Sequence, residues 1–149
     1  MKTIYNFDII SEFKNIKPGE IVIVNGEKYY MKITDGVDAE LLNLIDGGII
    51  EPKPTDVFHI PKQSSGELYE KENWFEEYHY VAHRYPRDAV FFYEISGLSG
   101  SVCYYRNEHY IVGDNFCAYN LKTGRYTPIE SCELVIPADD NLFLKIWLF

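Results

Sequence analysis

One tract of this chain occurs twice. Gly19 to Tyr30 aligns without a gap with Gly100 to Ile111, placing Gly19 on Gly100, Ile21 on Val102, Glu27 on Glu108 and Tyr29 on Tyr110. After a short gap, Asn43-Leu44-Ile45-Asp46-Gly47 matches Asn120-Leu121-Lys122-Thr123-Gly124, and Ile60-Pro61 matches Ile136-Pro137. Ordered agreement of this kind is the mark of an internal duplication, and it restricts the chain to folds that can be built from two similar units.

Each unit reads as β. In the first, the strand-prone runs Ile21–Val24 and Lys28–Ile33 flank Asn25-Gly26. Asn-Gly readily takes the two positive φ angles of a type I′ turn, so a hairpin is expected. The Asn-Leu-x-x-Gly tract predicts a strand ending in a tight turn. Four or five short strands per unit suit a small barrel of the SH3-like kind. The expected fold class is therefore α+β, mainly β: two repeated barrel-like modules with a helical insert between them. The expected boundaries are an N-terminal helical segment at 1–18, a first β module at 19–62, an acidic and aromatic insert at 63–99, and a second β module at 100–149.

The helical expectations rest on spacing. Ile4, Phe7, Ile10, Phe13 and Ile16 recur every three residues before Pro18-Gly19. In the insert, Ser64 and Glu67 form a capping-box pattern, and Trp74, Tyr78, Val81 and Tyr85 make an apolar stripe that predicts a helix from Glu67 to about Arg84. The tail alternates as a strand from Leu142 to Phe149. Phe143, Trp147 and Phe149 lie on one of its faces, and both faces are mostly apolar, which predicts cover by another element or self-association as a homodimer.

Candidate chemistry is sparse. His79 and His83 share a helical face at metal-ligand spacing, with Glu76 as a third ligand, but the residues between them lack the Glu of a His-Glu-x-x-His site. Cys103, Cys117 and Cys132 fall in or beside strands, where cysteine usually acts as a small hydrophobe. The carboxylate pairs Glu76-Glu77 and Asp139-Asp140 are adjacent in sequence and do not face each other. No Gly-x-x-x-x-Gly-Lys frame is present. The reading is non-enzymatic, with no cofactor.

Charge points to the partner. The formal net charge is −9, which opposes direct binding to nucleic-acid backbones and favours a partner with a basic surface. Glu70, Glu72, Trp74, Glu76, Glu77, Tyr78 and Tyr80 combine acids with aromatic anchors and are the candidate protein-binding residues. An odd number of cysteines, an N-terminus without the apolar core of a signal peptide, and no membrane-length apolar run predict a cytoplasmic protein with no membrane association.

The tract from Tyr110 through Gly113-Asp114-Asn115-Phe116 to Asn120-Leu121-Lys122-Thr123-Gly124, followed by Glu133-Leu134-Val135-Ile136-Pro137, resembles a pattern in small accessory proteins of bacteriophages and mobile elements. The resemblance covers about half of the chain and carries no catalytic residue. It implies a binder that inhibits a host protein or a bacterial defence factor. Two alternatives stand beside it: an immunity protein that neutralises a basic bacterial toxin, and a small-ligand-binding protein or enzyme using the cleft between the two modules.

Overall fold

A computed structural model describes residues 5–10, 12–26, 28–63 and 89–137. The chain is mainly β, with two antiparallel sheets and no α-helix among the described residues. The first half contributes β1 (Tyr5–Ile10), β2 (Ile21–Val24), β3 (Lys28–Thr34), β4 (Ala39–Asn43), β5 (Ile49–Ile50) and β6 (Phe58–Gln63). The second contributes β7 (Val90–Phe91), β8 (Val102–Tyr105), β9 (Glu108–Val112), β10 (Ala118–Asn120), β11 (Tyr126–Thr127) and β12 (Leu134–Pro137). The first sheet runs β1-β6-β2-β3-β4-β5 and the second β11-β10-β9-β8-β12-β7. Read from the opposite edge, the second order is the first with every strand advanced by six.

Matched backbone hydrogen bonds give the residue correspondence. Gly19 N donates to Lys32 O, and Gly100 N to Val112 O, both at 2.8 Å. Leu44 N donates to Tyr29 O as Leu121 N does to His109 O. Asn43 Oδ1 accepts the amides of Ile45 and Asp46, while Asn120 Oδ1 accepts those of Lys122 and Thr123. These pairs correct the ungapped alignment beyond the hairpin turn. The first ladder pairs Val24 with Lys28 and the second pairs Tyr105 with Glu108, so the first turn is one residue longer. Tyr30, not Tyr29, is the partner of Tyr110. Asn25 and Gly26 do take positive φ, as do Arg106 and Asn107 in the shorter turn.

The expected barrels do not form. In each sheet the two terminal strands stay apart as edges, because the apolar inner faces bury against each other instead of curling inward. Ile21, Met31, Ile33, Leu42 and Leu44 of the first sheet join Val102, Ile111, Tyr119 and Leu121 of the second in one core. The opposite face of each sheet has its own smaller core. Ile16, Val22, Val24, Tyr30, Leu41 and Phe58 close the first, and Phe92, Ile95, Cys103, Tyr105, Tyr110, Val112, Ala118 and Val135 the second. With both faces covered, β2 is buried along its whole length.

The N-terminal helix is also not formed. Residues 5–10 pair with β6, from Tyr5↔Gln63 to Ile10↔Phe58, and among the described residues of this segment only Phe13–Asn15 winds, as a single 3₁₀ turn. Spacing by three did not outweigh a ladder that pairs the backbone groups on one side of the segment with a distant strand. The second sheet likewise starts upstream of Gly100, with β7 and a 3₁₀ turn at Phe92–Glu94. The helix expected from Glu67 to Arg84 and the tail strand lie outside the described residues.

Two tight seams join the sheets. Thr34 N donates to Gly124 O, and Asp114 N to Gly47 O, each at 2.9 Å. A methyl group on Gly47 would overlap the Gly100 amide and the Ser99 side chain, and one on Gly124 would overlap the Gly19 amide and Lys32 O. Both glycines also sit at positive φ, so their positions admit no side chain on two counts.

Candidate functional site

The residues that sequence reasoning offered as a site are Glu70, Glu72, Trp74, Glu76, Glu77, Tyr78 and Tyr80, with His79 and His83 as metal ligands and Phe143, Trp147 and Phe149 for self-association. All lie outside the described residues. Among the described residues no three His, Cys, Asp or Glu side chains converge as a metal-ligand set. No described helix is long and apolar enough to cross a membrane. Among the described residues, the two modules share one apolar core.

Among the described residues, Cys103 and the histidine of its own hairpin lie on opposite faces of the sheet. Cys103 is fully buried, and burial pushes its thiol up to about 12. Its cross-strand partner is Tyr110, whereas His109 pairs with Tyr104 and meets its ring at 5.2 Å. Successive strand residues point to opposite faces, so Cys103 and His109 face away from each other. Burial also raises the Cys117 thiol.

What the fold assembles is an acidic ridge along the flank of the first sheet. Glu40 on β4 is held above the usual carboxylate range by burial first, then by the charges of Glu51, Asp38, Asp35 and Asp114. The cause is topological. Leu41 pairs with Ile50 across β4 and β5, bringing Glu40 and Glu51 side by side. The β3–β4 turn brings Asp35, whose Oδ1 accepts the amides of Val37 and Asp38 at 2.8 Å. The seam brings Asp114, whose Oδ2 accepts the Ile49 amide at 3.2 Å.

The ridge leads to a cluster of three loops at one end of the seam: 44–48, 96–100 and 113–117. Ser99 Oγ donates to Asp46 O at 2.6 Å, and the Asp114–Gly47 bond ties the third loop in. Three apolar side chains stand out to solvent here: Ile45 (51% exposed), Leu98 (58%) and Phe116 (65%). Phe116 has a φ of 65°, a backbone conformation that bulky residues rarely adopt.

Neither the ridge nor this cluster was anticipated. The five acids are dispersed between positions 35 and 114, and nothing local marks them. The apolar residues carried a signal, since Ile45 aligns with Lys122 in the repeat, an exchange of hydrophobe for cation at a turn position. No protein-family model matches the chain, and no curated protein or solved structure matches it either.

Proposed function

We propose that the protein is a non-enzymatic binder that blocks a partner through an acidic surface, the partner presenting a basic one. The observation that carries this reading is the convergence of acids on Glu40, with Glu51 set beside it by the Leu41–Ile50 pair, Asp35 and Asp38 by the β3–β4 turn, and Asp114 by its bond to the Ile49 amide. A protein that brings Glu51, Asp38, Asp35 and Asp114 to bear on Glu40 accepts a repulsion there that a cationic partner relieves. The net charge of −9 extends the same field over the molecule and speeds encounter with a basic surface. The resemblance of the second module to accessory proteins of phages and mobile elements favours a host or defence factor in the bacterial cytoplasm as the target. The acids and aromatics between Glu70 and Tyr80 are proposed to add to the contact.

The test is capture by the full-length chain from bacterial lysate, identification of the captured protein by mass spectrometry, and titration of the purified pair. The reading expects a stoichiometric complex with a basic protein, weakened by salt and by Glu40→Gln/Glu51→Gln. A chain that captures nothing, or whose complex ignores both changes, has another function. Gene neighbourhood then tells a phage inhibitor from the immunity protein of an adjacent toxin.

A further inference from the structure

The two ends of the seam are built alike and finished differently. At one end, loops 44–48, 96–100 and 113–117 meet. At the other, loops 17–20, 121–125 and 34–38 meet through the Thr34–Gly124 bond. Backbone bonds pair the positions directly. Ser101 N donates to Leu98 O as Glu20 N donates to Lys17 O, each at 3.0 Å. Ile45 N donates to Asn43 Oδ1 as Lys122 N donates to Asn120 Oδ1, each at 2.8 Å. Leu98 therefore stands where Lys17 stands, and Ile45 where Lys122 stands. Both lysines are exposed.

The comparison is an internal control. The same turns close with the same hydrogen bonds whether the side chains are apolar or cationic, so the scaffold does not need Leu98 or Ile45 to fold. Their exposure leaves apolar surface in water without a packing return. Phe116 adds a second cost, because its left-handed backbone strains a bulky residue. Its ring reaches Gly97, where an added Cβ would lie 3.9 Å from Cε1. Costs that folding does not recover are common at contact surfaces, where a few well-packed anchors supply most of the binding energy.

We propose that the loop cluster bearing Ile45, Leu98 and Phe116 is the anchor of this protein's complex, inserting into an apolar pocket rimmed by Lys or Arg on the partner. Charge fixes the rim. The three loops contain Asp46 and Asp114 and no Lys or Arg, and Asp114 belongs to the acidic ridge. The opposite end sets Lys17, Lys122 and Arg125 beside Glu20, Asp35 and Asp38 and exposes one hydrophobe, Val37, so its formal charges cancel where the three loops keep two uncompensated acids. The proposal rests on the binding reading above and names the surface that reading lacks.

The experiment compares four full-length chains against the partner purified after capture: wild type, Leu98→Lys/Phe116→Lys, Phe116→Asn, and Lys17→Ala/Lys122→Ala. The double lysine variant is expected to bind about 100-fold more weakly, the scale of losing two anchors. Phe116→Asn separates binding from folding, because Asn tolerates positive φ. It is expected to melt at or above the wild-type temperature while binding at least about tenfold more weakly. The Lys17→Ala/Lys122→Ala control is expected to stay within about twofold. If the loop variants bind like wild type, the anchor is elsewhere and the binding reading survives. If wild type captures nothing, both fall. If wild type sediments as a dimer that the loop variants dissociate, the occupant is a second copy, which overturns the basic-partner assignment.

Discussion

Lys32 Nζ lies 2.7 Å from the carbonyl oxygen of Ile16, inside the small core that closes the outer face of the first sheet. It also donates to Phe13 O at 2.9 Å and lies 4.2 Å from the centroid of the Phe13 ring. The ammonium thus holds the 3₁₀ turn against the sheet. Val112 occupies the equivalent place in the second module, where the turn packs through Phe92 and Ile95 and donates the Phe92 and Tyr93 amides to Glu133 O and Ser131 O. Lys32→Met keeps the volume and orphans the Ile16 carbonyl, while Phe13 O keeps the Ile16 amide as a donor. It is expected to cost about 2 kcal/mol, since an unsatisfied buried acceptor costs about 1–3 kcal/mol. Urea denaturation measures it, and a variant as stable as wild type would show that the turn needs no clamp.

The seam glycines differ in kind from the turn glycines. Gly26 and Gly47 share a φ of 74°, but a Cβ on Gly26 meets nothing within 4 Å. Gly26→Ala is expected to cost about 1 kcal/mol, the penalty for left-handed backbone alone. Gly47→Ala adds overlap with the Gly100 amide and Val112 O, which only a shift of one sheet against the other relieves. Its cost should be at least twice as large, read from paired denaturant curves. Equal losses would mean that the seam yields readily.

Thiol reactivity should rank by environment. Cys132 is exposed, Cys117 is half-buried with a raised pKa, and Cys103 is buried with a thiol near 12. The thiolate is the reactive form, so a neutral alkylating reagent at pH 8 should label Cys132 first and Cys117 later. Cys103 should react only on unfolding. Peptide mass mapping over time reads the order, and early modification of Cys103 would contradict its place in the core.

How much of this was legible in the sequence depended on whether the deciding contact was local. The Asn25-Gly26 turn and the Asn-capped turns at Asn43 and Asn120 were visible because a residue's own backbone preference, or a side chain reaching two or three residues ahead, creates them. Tyr5–Ile10 reads as helical from spacing alone because its partner, β6, begins 48 residues beyond Ile10. The repeat was recognised from turn residues but slipped by one beyond Gly26. Hairpin loops of different length leave the turn chemistry alike while shifting the register of β3 relative to β9. The packing of sheet on sheet escaped for a related reason. Met31 and Ile111 look like the core of either a barrel or a sandwich, and only the pairing of edges distinguishes them. For the candidate site, net charge indicated an acidic surface, but no local pattern joins Glu40 to Asp114.

The acidic ridge makes a signed prediction about pH. Glu40 has a folded-state pKa above its ordinary value, so the folded protein binds the proton more tightly than the unfolded chain does. Between the unfolded and folded pKa values the native state then carries more protons, and stability falls as pH rises through that window. Above it the unfavourable charge persists at full strength. Glu40→Gln removes the charge and retains the shape, so it should raise the melting temperature at pH 7. The gain should shrink toward zero as pH drops below the ordinary Glu range, where wild-type Glu40 is itself protonated. The gain at pH 7 is small, because solvent screens a side chain that is only partly buried. Salt distinguishes the cause: repulsion from Glu51, Asp38, Asp35 and Asp114 weakens with ionic strength, whereas burial does not. A thermal-melt series of both proteins over pH and salt resolves the two contributions. A Gln variant less stable than wild type at pH 7 would mean that the Glu40 carboxylate is stabilised by a favourable partner, and the ridge would lose its role as an unrelieved charge awaiting a basic surface.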